Sequence, residues 1–227
     1  MTRDDNPQLQ TGFPPPWSLK GRGHIVCMRF PREVLRGGET FLSPSLRGGV
    51  RSRYAWMMFV DYEQADCGPY RELLFIPGRA DFHGGRFLTI SKIYVSSMSS
   101  VENGRQNWGI PKEMAEFDVR HDHAGRSEVR VTRDGRTVAE LVFRPRGPRL
   151  PMLVHWLPKR LLTLGQQLDG CEFIYTPEAR GKIRWAEMVR ATSDAELFPD
   201  LAAGKLLACF EVPEFRMVFP RSRIRSL

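Results

Sequence analysis

No stretch of this 227-residue chain is long and apolar enough to span a bilayer. The best candidate, Tyr54-Ala-Trp-Met-Met-Phe-Val60, has the length of a strand. The first residues, Met1-Thr-Arg-Asp-Asp-Asn-Pro7, lack the apolar run of a secretory signal, so a soluble, cytoplasmic protein is expected. Cysteine is sparse. Cys27, Cys67, Cys171 and Cys209 are scattered, without the paired spacing of a zinc site or redox motif, and are expected to be reduced and partly buried. There is no glycine-rich phosphate loop, no nucleophilic serine motif and no cysteine–histidine pairing. His121-Asp-His123 lacks a third convergent ligand and reads as a solvated turn, so no metal is expected.

The charge is less neutral. The net charge of +8 is carried almost wholly by arginine, which raises nucleic acid as a partner. The arginines are spread along the chain, however, and the single cluster, Arg221-Ser-Arg-Ile-Arg225, comes without a zinc finger, helix-turn-helix or RNA-binding signature. Solvated surface charge is the expected account, with no specific nucleic acid and no membrane as partner.

What is present is β-pattern. The length suits one domain with a substantial core, and residues 1–12 read as a flexible arm. Phe13-Pro-Pro-Pro-Trp17 is a stiff run whose tryptophan is expected to tuck against the body. Strands are expected at 24–30, 54–62, 71–76, 86–95, 115–120, 127–132, 137–143, 205–213 and 215–219, with a short turn or helix at 31–36. Asp134-Gly135 marks a hairpin. Helix candidates are few: 101–108, an apolar run at 152–165 broken by Pro158, 177–184, and one turn at 194–198. Many short strands without a βαβ rhythm predict a mainly β fold, an antiparallel sheet closed into a barrel or folded as a sandwich.

The informative segment is Glu102-Asn-Gly-Arg-Gln-Asn-Trp-Gly-Ile-Pro-Lys-Glu-Met-Ala115. It sets Lys112 directly after a proline, among small and apolar residues. An amine held in apolar surroundings loses hydration of its charged form and becomes available as a neutral nucleophile. The bland reading is a strand-end lysine in water.

This segment resembles the signature of the acetoacetate decarboxylase superfamily, with Tyr94, Gly104, Arg105, Pro111 and Lys112 on characteristic positions. Gly68-Pro-Tyr-Arg-Glu-Leu73 is similar to the family's strand bearing a tyrosine and an active-site glutamate, which places that role on Glu72. Arg22 is a looser match to an arginine near the domain start, and Phe219-Pro-Arg221 resembles the last strand. The resemblance implies a closed antiparallel β-barrel enclosing an active-site cavity, with Lys112 and Glu72 catalytic and Arg22 and Arg105 binding substrate. It implies no cofactor, a small keto acid or related carbonyl compound as substrate, and a homo-oligomer. Glu72 also reads as an outward strand residue, and Arg105 as a structural donor tying its loop to the barrel.

Through such a lysine, decarboxylation of a β-keto acid is the default reaction, with aldol, dehydratase or retro-aldol chemistry through the same iminium as variants. A barrel that binds an apolar carbonyl ligand without turning it over is the alternative. The chain departs from the pattern in three places. Glu113 stands where true acetoacetate decarboxylases have a second lysine, Gln106 replaces a glutamate, and Ser96-Ser-Met-Ser99 replaces an acidic, amide-bearing stretch. Acetoacetate is therefore expected to be a poor substrate. If the segment is extended, Glu113 points away from the pocket.

Overall fold

The computed structural model describes residues 12–36, 40–123, 125–152 and 158–227. The chain begins with β1 (Trp17–Arg29), α1 (Arg32–Arg36), α2 (Pro44–Arg47), β2 (Tyr54–Gln64) and β3 (Tyr70–Ile76). Next come β4 (Gly78–Phe82), β5 (Gly85–Thr89), β6 (Lys92–Val95), α3 (Met98–Trp108) and β7 (Lys112–Met114). β8 (Glu116–His121), β9 (Ser127–Arg133), β10 (Arg136–Met152), α4 (Lys159–Leu162) and β11 (Leu164–Leu168) follow. The chain closes through β12 (Cys171–Tyr175), β13 (Glu178–Ser193), β14 (Lys205–Phe219) and β15 (Arg223–Ser226).

Ten strands form one sheet in the order β7-β6-β3-β2-β1-β14-β13-β10-β9-β8, and five form a second in the order β15-β12-β11-β5-β4. The large sheet curls into a nearly closed barrel. Its two edges, β7 and β8, are consecutive in the chain and meet at Ala115. The Ala115 amide donates to the Val95 carbonyl at 3.0 Å, and the Arg71 guanidinium reaches from β3 to the Phe117 carbonyl at 3.2 Å. Pairing is antiparallel except for β6 with β7 and the single contact of β11 with β5.

Strand alternation sends each strand's residues to two separate cores. Met57, Phe59, Leu73, Phe75 and Tyr94 pack with Val129, Val131, Leu141 and Phe143 on one face. Tyr62, Tyr70, Leu74, Ile76, Ile93 and Val95 pack on the other with Trp17, Trp108, Leu164 and Tyr175. The second core is roofed by the five-stranded sheet and α3.

Several details differ from the sequence reading. The expected strand 86–95 is two strands, and the expected helix at 177–184 is the start of β13, paired with both β10 and β14. A prolyl start resembles a helix signal, but here the register with two neighbours decides. Of the apolar run at 152–165, Met152 ends β10, Lys159–Leu162 is one helical turn, and Leu164 opens β11, while 153–157 lie outside the described residues. The proposed arm lies outside them too, save for Gly12. Trp17 is buried, its indole donating to the Phe13 carbonyl at 2.9 Å.

His24 carries a consequence for acid stability. It is buried, stacked on Phe143 at 4.1 Å, and its ring nitrogens have no hydrogen-bond partner among the described residues. Burial first, then the nearby His121 and Arg184, push it down to about 3. The unfolded chain takes up this proton between about pH 6.5 and 3 while the native state does not, so stability falls across that window as pH drops. The slope from this group is at most about 1.4 kcal/mol per pH unit. His24→Phe should flatten that acid limb, read as urea midpoints at pH 4 and 7.

Candidate active site

The lysine segment is placed by a helix end. The Ser97 hydroxyl caps the N-terminus of α3. At the other end Gly109 takes the left-handed conformation, φ 62°, and its amide and that of Ile110 close on the carbonyls of Arg105 and Gly104. Pro111 then forbids further helix. The chain doubles back, and β7 lays Lys112 against the underside of α3.

Gly104 makes that approach possible. A Cβ there would stand 2.7 Å from Lys112 Cδ and 2.8 Å from Cε. The buried stripe of α3, Ser100, Asn103, Gly104 and Trp108, thus presents a small groove to the lysine stem and a hydroxyl to its amine.

Lys112 is 3% exposed. Its Nζ lies 3.1 Å from Glu72 Oε2 on β3, donates to Ser100 Oγ at 2.9 Å and to the Tyr70 hydroxyl at 3.4 Å, and sits 4.8 Å from the Tyr70 ring centroid. The Tyr62 hydroxyl donates to Glu72 Oε1 at 3.4 Å, and the Tyr62 and Tyr70 rings lie 4.6 Å apart. Burial, followed by the neighbouring Glu72 carboxylate, pushes both phenols well above the ordinary range, so they remain protonated donors at neutral pH.

This polar patch opens onto a cavity of about 280 Å³ in the second core, walled by residues such as Met58, Leu74, Ile76, Ile90, Ile93 and Leu164. The arrangement offers a primary amine, a carboxylate within proton-transfer distance and two neutral hydroxyl donors, all shielded from bulk water. That set can form and break a carbon–nitrogen double bond.

Of the sequence candidates, the structure brings Lys112 and Glu72 together and leaves both arginines out. Arg22 is exposed and pairs with Glu63 on the surface, because alternation along β1 puts it on the face opposite Leu19 and Gly23, which line the cavity. Arg105 stands half-buried on α3 and does not reach the cavity wall. Ser100 and Tyr62 were not expected. Their signals were present as a small residue four before Gly104 on a helix, and as a tyrosine on the alternate face of a strand beside Glu72. Among the described residues no three His, Cys, Asp or Glu side chains converge as metal ligands, and His121 instead shares a hydrogen bond with Ser127 at 3.0 Å.

Glu113 faces the other core. It bonds Lys92 Nζ at 2.6 Å and pairs with Arg133, and the Tyr94 ring lies beside both cations. Glu113→Gln should therefore leave the pH dependence of Lys112 reactivity within about a few tenths of a unit. It should cost about 1–2 kcal/mol in urea denaturation, since Lys92 loses its carboxylate. A shift of a full unit in the labelling profile would contradict this geometry.

The family model for acetoacetate decarboxylase (ADC) matches residues 11–160. An acetoacetate decarboxylase from Legionella pneumophila superposes with TM-score 0.74 at 10% identity, covering 98% of this chain and 92% of the other. The enduracididine biosynthesis enzyme MppR complexed with pyruvate gives 0.66 at 19% identity, covering 95% and 91%. An acetoacetate decarboxylase-like enzyme from Sphingomonas wittichii RW1 gives 0.68 at 12%, covering 93% of each. Among curated sequences none matches. These likenesses are of fold, whereas the family match spans most of the chain and includes the strand of Glu72, α3 and Lys112. The chain belongs to the acetoacetate decarboxylase family.

Proposed function

We propose that this protein is a cofactor-independent lyase that forms a Schiff base between Lys112 and a keto acid. One observation carries the reading: Lys112 Nζ, buried, ends at an apolar cavity with Glu72 3.1 Å away. Lys112 attacks the ketone carbon as the free amine, and Glu72 is the group in place to take the amine's proton. One remaining amine proton passes to the ketone oxygen to make the carbinolamine hydroxyl, and Glu72 returns the proton it took to that hydroxyl, which leaves as water and gives the iminium. The Tyr70 hydroxyl, on the cavity wall beside Lys112, is placed to hold the substrate oxygen as it departs, while Ser100 holds the amine. In the default reaction the iminium withdraws the electrons of the bond to the carboxylate, carbon dioxide leaves, and the resulting enamine is protonated on carbon. Water then hydrolyses the product iminium and restores Lys112.

That a structural neighbour, MppR, is found with pyruvate and with a condensation product of pyruvate and imidazole 4-carboxaldehyde supports a carbonyl compound as the ligand class. Incubation with a β-keto acid and borohydride should add the reduced adduct's mass at Lys112 alone. Labelling that persists in Lys112→Ala, or spreads over surface lysines, would refute the Schiff base. A barrel that merely holds a carbonyl ligand would label at Lys112 yet release no product.

A further inference from the structure

Resting on the Schiff-base reading, we propose that the substrate is a β-keto acid with an uncharged, unbranched apolar tail. Such a compound would release a methyl ketone once carbon dioxide has left and water has hydrolysed the iminium. The distribution of polarity in the cavity carries this. Lys112, Glu72, Tyr62 and Tyr70 form one hydrogen-bonded patch. Away from that patch the described wall is hydrocarbon and aromatic apart from His24, which is stacked on Phe143.

No arginine stands in the described wall, and Arg22 and Arg105 both lie outside it. A second charge at the far end of a substrate would be buried without a partner, which is strongly unfavourable. The small keto acids also leave most of the space empty. Along β3 the wall continues from Glu72 through Leu74 to Ile76, a reach of about 13 Å at strand spacing. The cavity of about 280 Å³ is many times the roughly 10–15 Å³ that a single water needs, so a tail of several methylenes fits. Filling it with a tail gains the transfer free energy of each methylene.

The test compares acetoacetate, 3-oxohexanoate, 3-oxooctanoate and the dicarboxylate 3-oxoadipate on the full chain. It reads the concentration giving half-maximal borohydride labelling of Lys112, together with carbon dioxide release. Each two-carbon extension should improve both by roughly tenfold, and 3-oxoadipate should be handled far worse than 3-oxohexanoate. Equal handling of acetoacetate and 3-oxooctanoate, or good handling of 3-oxoadipate, overturns the apolar-tail assignment while leaving the Schiff base intact. Absence of label at Lys112 with every member overturns both. Ile76→Phe, which fills the wall distant from Lys112, should lower the preference for 3-oxooctanoate over acetoacetate about tenfold. Ile76→Ala should shift the optimum to a longer tail. An unchanged chain-length preference in a folded Ile76 variant overturns the placement of the tail.

Discussion

Lys112→Met is expected to remove turnover, lowering kcat by about 10⁴-fold or more, because no other primary amine lines the described cavity. The same exchange should also destabilise the fold by about 3–5 kcal/mol, since Glu72 is left as a buried carboxylate without its cation. Pairing it with Glu72→Leu should return most of that stability, because two apolar side chains suit the surrounding core better than one orphaned charge. The double variant therefore separates two roles of the pair. If the pair served the fold, the double variant would be the least stable of the set; if it serves chemistry, the double variant is stable and inert. Urea denaturation of the three proteins, read beside product release, decides between them. A Lys112→Met protein retaining turnover within tenfold would end the covalent mechanism.

How much of this was legible in the sequence follows from how local each cause is. The β character was, because strand alternation and the Asp134-Gly135 turn are short-range signals. The placement of Lys112 was as well, because a glycine–proline helix stop fixes it within four residues. The encounter of Lys112 with Glu72 depends on β6 lying between β3 and β7, a register that no spacing in the chain expresses; the family likeness implied only that the two residues share one cavity. The direction of Glu113 followed from alternation, but its partners Lys92 and Arg133 come from β6 and β9, which only barrel closure brings together. The two arginines stand away from the described cavity wall. The resemblance places Arg22 only by its distance from the domain start, whereas alternation along β1 puts it on the face opposite Leu19 and Gly23, away from the cavity they line. Residue type cannot tell a guanidinium that binds substrate from one that pairs with Glu63 at the surface.

The contact that a single methyl group should destroy is the one between α3 and the lysine stem. Gly104 sits in ordinary helix with no positive φ, so alanine there would improve helix propensity by about 1 kcal/mol in an isolated helix. Here its Cβ would overlap Lys112 Cδ and Cε, both under 3 Å away. The Lys112 amine is held by Ser100 on α3 and Glu72 on β3, so a stem that shifts away from a new Cβ carries the amine off those partners. Gly104→Ala is therefore expected to reduce borohydride labelling at Lys112 nearly to the level of Lys112→Ala. Overpacking of this kind should cost about 1–3 kcal/mol of stability, small enough for the protein to remain folded. The direction matters more than the size. Helix propensity alone predicts a more stable, fully active protein, whereas the steric account predicts a folded protein with a displaced amine. Near-native labelling in Gly104→Ala would mean that α3 can lift from β7, and that the lysine is not held in the position described.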